Sequence, residues 1–171
     1  MNLTIREAGA QDATLIADLS RQTFYDTFAA HNTAADMDKF LNEQFTRGRL
    51  MLEVGQHGNT FLLAYDEGAV AGYAKLRESR TPAALGPVAA LEIARLYACQ
   101  NMIGKGVGNL LMQASLDIAR QKEKEVAWLC VWEKNQRAIN FYNRWGFEKC
   151  GEVEFILGDD VQRDWMMQRR I

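Results

Sequence analysis

A chain of 171 residues, 48% hydrophobic and 25% charged with two prolines, has the size and composition of one domain with a sizeable core; this excludes a disordered or low-complexity protein. A formal net charge of −2 supplies no general field for nucleic acid, whose binding needs clustered Lys and Arg. No apolar stretch approaches the ~20 residues that span a bilayer, and no charged leader with an apolar run opens the chain, so no membrane partner is expected and the location is read as cytoplasmic.

Leu3 to Arg6 alternates apolar and polar residues, as a half-buried strand does. Asp12 is placed to cap a helix carrying Leu15, Ile16, Leu19, Thr23, Phe24 and Phe28 at helical spacing. Thr33 is placed to cap a second helix, with Met37, Phe40, Leu41 and Phe45 on its buried face, and a short third piece holds Leu50, Leu52 and Val54. The period then changes to that of strands over Thr60–Tyr65 and Ala69–Arg77, joined by a hairpin turn at Asp66-Glu67-Gly68. Residues 79 to 89 hold both prolines and read as a loop. Ala90 to Ala98 is an apolar strand with two charges, Glu92 and Arg95.

After a glycine-rich turn, a helix runs from about Gly106 to Gln121 with Leu110, Leu111, Ala114, Leu116 and Ile118 facing inward. Glu125 to Glu133 is a strand, Asn135 caps a helix to about Trp145, and Gly146 ends it. Phe147–Phe155 and Gln162–Arg169 make a closing hairpin turned at Gly158-Asp159-Asp160. With no repeat and no linker, the order predicts one α/β domain over residues 1–171, a mixed central sheet of about six to seven strands with helices on both faces.

Ile103-Gly104-Lys105-Gly106-Val107-Gly108 lies between a strand and a helix. Missing side chains let a ligand approach the backbone, and exposed N–H groups with the positive end of a helix form an anion site suited to a pyrophosphate. Lys105 adds charge at its rim. A P-loop would need Ser or Thr after Lys105, and the dinucleotide fingerprint would need a glycine where Asn109 stands. A glycine loop without a ligand is the plain alternative.

A second motif narrows the choice. Asn135-x-x-Ala138-x-x-Phe141-Tyr142-x-x-x-Gly146-Phe147, following a strand, resembles the C-terminal acetyl-CoA motif of GNAT N-acetyltransferases, and the glycine turn with its flanking strand and helix resembles that family's pyrophosphate motif. Ile103 stands where the family has Gln or Arg, which leaves phosphate contact there to backbone N–H groups. Leu91-Glu92-Ile93, Val131-Trp132-Glu133-Lys134-Asn135, the Gly158-Asp159-Asp160 turn and Thr23-Phe24-Tyr25-Asp26-Thr27-Phe28 look like PaiA-type bacterial spermidine/spermine acetyltransferases. That resemblance implies acetyl-CoA as co-substrate and a small primary amine, a polyamine first, as acceptor. GNAT proteins are often dimers, so a homodimer is the family expectation.

The implied chemistry assigns roles. Glu92 is the candidate base, acting through water on an ammonium of pKa about 10.4, or else an ion-pair partner of a nearby cation. Arg95 reads as the partner of a carboxylate. Tyr142 is the candidate acid for the leaving sulfur, with core packing against Phe141 as the alternative. Backbone groups of Leu96, Tyr97 and Ala98 would pair with the pantetheine arm like an added strand, and Asn135 caps its helix and reaches the same arm. Tyr25, Asp26 and His31 fall where family members build the acceptor side, and Glu133, Asp159 and Asp160 would extend a negative groove there. Three cysteines, Cys99, Cys130 and Cys150, match no zinc pattern and read as reduced thiols; His31 and His57 lie far apart, so no metal is expected. A protein N-terminal or lysine acetyltransferase and a non-catalytic acyl-CoA-binding domain are the competing readings.

Overall fold

Seven strands form one mixed sheet in the computed structural model, which describes residues 1–78 and 81–171. They are β1 (Leu3–Glu7), β2 (Asn59–Asp66), β3 (Ala69–Arg77), β4 (Ala90–Ala98), β5 (Val126–Trp132), β6 (Glu148–Leu157) and β7 (Asp160–Arg170). Five helices accompany them: α1 (Ala13–Phe28), α2 (Ala34–Lys39), α3 (Arg47–Glu53), α4 (Val107–Gln121) and α5 (Gln136–Arg144). The spatial order is β1-β2-β3-β4-β5-β7-β6, and β4 with β5 is the parallel pair. The mixed sheet with helices on both faces is the architecture expected from the sequence.

Alternation along the strands divides the core. On one face Leu76, Leu91, Ile93 and Leu129 pack with Leu111, Met112 and Leu116 of α4 and Ile139 of α5. On the other, Phe61, Leu63 and Tyr73 pack with Ile16 and Leu19 of α1, while Phe24, Phe40 and Phe45 cluster nearby, Phe24 stacked on Phe40 at 4.3 Å.

Two features of β4 shape everything that follows. Lys75 lies opposite Arg95 and Leu76 opposite Ile93, so Ala94 is a bulge without a partner of its own. The extra residue shifts the alternation: Leu91 and Ile93 face α4 before it, Leu96 and Ala98 face α4 after it, and Arg95 and Tyr97 turn to the α1 side. On its other edge β4 pairs with β5 over three positions only, Ala90 with Val126, Leu91 with Ala127 and Glu92 with Trp128. Beyond them the two strands part, and the β5-side edge of Ile93–Ala98 is left without a ladder.

Several local expectations are corrected. Asp12 does not cap α1: its carboxylate is drawn to Arg6 at 2.8 Å and accepts from Gly9 N at 2.8 Å, and it makes no side-chain cap bond. Leu52 is 72% exposed, because the short α3 turns only Leu50 inward. On α4, Leu111 and Leu116 are buried with Met112 and Ala119, while Leu110, Ala114 and Ile118 flank the contact. Phe45 lies beyond α2, after a wider turn over Phe40–Gln44. The loop expected over 79–89 is described from Thr81 onward, with one short turn at Ala83–Leu85; Ser79 and Arg80 lie outside the described residues.

Candidate active site

Where β4 and β5 part, a groove of about 890 Å³ opens between the two sides of the sheet. One wall is the free edge of Ile93–Ala98, a run of backbone donors and acceptors facing the space. At its end, Cys99 to Gly106 turns the chain into α4. Gly104 and Gly106 adopt φ of +81° and +91°, a region costly for any residue with a Cβ. The first intrahelical bond runs from Leu110 N–H to Gly106 O, so the amides of Val107, Gly108 and Asn109 lack helical acceptors and form a positive terminus.

Ile103, Gly104, Gly106 and Gly108 border the groove, Lys105 sits exposed at the turn, and Val107 is fully buried, so its contribution there is confined to its backbone. Gly108 also brings α5 close, since a Cβ there would stand 3.3 Å from the Phe141 ring. Asn135 borders the same groove while its side chain accepts from Ala138 N at 3.3 Å, the capping bond its position called for. Arg137 and Arg144 of α5 add cations to the lining. Both lie within the second motif, yet nothing in their spacing marked them for a site.

Tyr142 lines the groove, its ring edge-on to Phe141 and Phe147. Burial pushes its hydroxyl up to about 12, so it stays protonated at neutral pH. Tyr97, stacked on Tyr73 with ring centres 6.0 Å apart, is pushed up further, by burial first and then by Tyr73 and Tyr142.

Glu92 stands at the point of parting, 7% exposed and bordering the groove. Arg77, its cross-strand neighbour, grips it at two points, Nη2 to Oε1 at 2.7 Å and Nε to Oε2 at 3.0 Å. Arg95 has the carboxylate partner expected of it: Glu53 of α3 lies 2.8 Å from Arg95 and 3.0 Å from the buried Lys75. Asp164 of β7, which sequence reasoning missed, also borders the groove, and burial followed by the charge of Glu133 pushes its carboxyl up to about 6. An Asp inside a strand between Gln162 and Met166, at the period of the groove-facing positions, was the available signal.

The acceptor-side residues divide. Asp26 and His31 border a smaller pocket of about 370 Å³ beside the groove, with Trp132 and Asn135. Tyr25 borders neither space: one position along α1 rotates it about 100° from Asp26, and it is 50% exposed. Asp159 is engaged by Lys39 and Asp160 accepts from Gln162, so both belong to the hairpin turn. That turn is fastened to α2 and the bend after it: Gly158 N donates to Gln44 Oε1 at 2.9 Å, Asp159 N to Asp36 Oδ1 at 3.0 Å, and Gln44 Nε2 to Ile156 O at 3.0 Å. No cluster of metal-binding side chains occurs among the described residues, and no helix among them is long and apolar enough to cross a membrane.

The model of the Acetyltransferase (GNAT) family matches residues 16–147. An uncharacterized N-acetyltransferase of Lactobacillus delbrueckii subsp. lactis is 34% identical over 167 residues, covering 98% of this chain and 96% of that one. The crystal structure of a PaiA N-acetyltransferase from Thermoplasma acidophilum in complex with coenzyme A superposes with a TM-score of 0.79 at 19% identity over the full length of both chains. A putative acetyltransferase of Salmonella typhimurium with its cofactor acetyl-CoA gives 0.70 at 22% identity, covering 99% of this chain and 94% of that one.

Proposed function

Because this chain belongs to the GNAT acetyltransferase family, we propose that its groove takes acetyl-CoA and passes the acetyl group to a primary amine, a polyamine such as spermidine or spermine first. The observation that carries the reading is the free edge of β4 running into the glycine turn and the N-terminus of α4. An extended amide-bearing arm fits the first, and a pyrophosphate fits the second. Leu96, Tyr97 and Ala98 would pair with the arm; Gly104, Gly106, Val107 and Gly108 would offer amides to the phosphates, with Lys105, Arg137 and Arg144 adding charge. The coenzyme A complex of the Thermoplasma protein and the acetyl-CoA complex of the Salmonella protein, on the same fold, support this.

When bound, acetyl-CoA supplies a thioester that a neutral amine can attack. The protein's part is proton handling and orientation. An alkylammonium near pKa 10.4 must lose a proton, and Glu92 is assigned to receive it through water while Arg77 holds the carboxylate in place. Tyr142 Oη is assigned to the departing sulfur; a phenol pushed up to about 12 stays protonated and donates its O–H to the thiolate as it forms. Glu154 and Asp164, on the β6–β7 side of the groove and away from the arginines of α5, suit a cationic acceptor, which is what favours a polyamine over a neutral nucleophile.

The test follows CoA thiol release from acetyl-CoA with spermidine, spermine and an N-terminal peptide as acceptors. Release with the polyamines is expected. Release with the peptide alone would keep the acetyltransferase and overturn the acceptor; acetyl-CoA binding without release for any acceptor would favour a binding domain.

A further inference from the structure

Asp164 faces Trp132 of β5 and Val153 of β6 across the sheet. The next residue, Trp165, packs against the α4–α5 core, so alternation turns Asp164 to the opposite face, onto the groove. Two groups on the groove register its charge: the Cys130 thiol, pushed up to about 12 by burial and then by Asp164 and Glu92, and the Tyr97 hydroxyl, which also feels Tyr142. The Asp164 carboxylate therefore lies within electrostatic reach of both parted strands.

Its surroundings differ from those of the other carboxylates at this place. Glu92 is gripped at two points by Arg77, and Glu53 by Arg95 and Lys75. Among the described residues no Lys, Arg or His pairs with Asp164, and no hydrogen bond reaches its carboxylate. A half-buried carboxylate without a cation is a cost that folding alone does not offset. The groove it borders is open to a ligand.

We infer that Asp164 receives the ammonium of the acceptor amine and makes the site selective for charged amines. The inference rests on the groove being the acetyl-transfer site. Glu92, already bound to a cation, is left to act through water, while Asp164 supplies the direct charge–charge contact. A carboxyl pushed up to about 6 is what a site short of its cation displays, and a bound ammonium would bring it back down.

Asp164→Asn and Asp164→Glu are compared with the wild type using 1,4-diaminobutane, charged at pH 7.5, and a neutral arylhydrazine as acceptors. The expected result for Asp164→Asn is a rise in KM for the diamine of about 10- to 100-fold, the loss of one charge-assisted hydrogen bond, with KM for acetyl-CoA and turnover of the arylhydrazine within about twofold. Asp164→Glu recovers part of the diamine affinity. An unchanged diamine KM, or a rise in KM shared equally by acetyl-CoA, overturns the role of Asp164 and leaves acetyl transfer standing. If the wild type releases no thiol with any amine, calorimetric titration of 1,4-diaminobutane decides separately. Binding that Asp164→Asn abolishes supports the ammonium site while acetyl transfer falls; binding that is absent or equal in both proteins overturns it.

Discussion

Tyr142 and Asp164 are two acids whose burial moves them in the same direction for opposite uses. Tyr142, at about 12, stays protonated across the working range, as its proposed role requires; Tyr142→Phe keeps the ring contacts with Phe141 and Phe147 and removes only the hydroxyl. Its kcat is expected to fall by about 10²–10⁴, with the amine KM within a few-fold, read from steady-state thiol release. Asp164, at about 6, must be ionised to hold an ammonium, so kcat/KM for an alkylamine should decline as pH falls through about 6, and Asp164→Asn should flatten that limb. The groups around it are Cys130 on β5 and Glu133 just after that strand, Tyr97 on β4, Glu92 with its Arg77 partner, and Glu154 on β6; of these, Glu133 is the one that raises it. Linkage gives a second readout. A native carboxyl above its unfolded value of 3.8 takes up protons that the unfolded chain does not, so this group destabilises the fold above about pH 6 and ceases to do so below about pH 4. Asp164→Asn should therefore be more stable than wild type at pH 8, by about 1–3 kcal/mol, and equal to it near pH 4, as measured by urea unfolding. Tyr142 and Asn135 were legible because their motif is contiguous. Asp164 was not, since its meaning depends on what the sheet places opposite it.

At the scale of elements, β4 and the turn after it concentrate the requirements. Gly106 sits at φ +91° at the start of α4, with a Leu3 methyl 3.7 Å from where a Cβ would stand. Gly106→Ala meets no clash, so its cost is the left-handed backbone, about 1–2 kcal/mol. The expected outcome is a KM for acetyl-CoA raised about tenfold, as the amides of the turn relax from their positions, with little change in the amine KM. The element types and order were legible because each has its own period: alternation in β1, β2 and β3, helical spacing in α1 and α4, and a capping Asn before α5. The ends were less so. Asp12 reads as a cap because local sequence cannot show that Arg6 of β1 stands beside it, and Leu52 reads as core because a seven-residue helix offers too few turns to define a face. The parting of β4 from β5 left no trace in either sequence, because it consists of hydrogen bonds that are not made.

For the whole molecule, Glu53 joins α3 to β3 and β4 through Lys75 and Arg95, and Arg95 also lies over the Phe45 ring at 4.9 Å. Glu53→Ala would leave the buried Lys75 and the half-buried Arg95 without a counter-charge, an expected loss of about 3–5 kcal/mol in urea unfolding, part of which Lys75→Met on the same background should restore. The fold class was legible because apolar runs alternate with helical stripes in an order that only a covered sheet satisfies.

The bulge at Ala94 is the place in β4 where a residue can be lost without turning a side chain over. Deleting Ala94 would join Ile93 to Arg95 while each keeps its present partner, Leu76 and Lys75, so Arg95 and Tyr97 would stay on the α1 side and Leu96 and Ala98 on the α4 side of a regular ladder. A residue lost between Arg95 and Ala98 would instead carry those beyond it to the opposite face. Among descendants of this chain, a one-codon gap is therefore tolerated at the bulge and closed out along the rest of the strand.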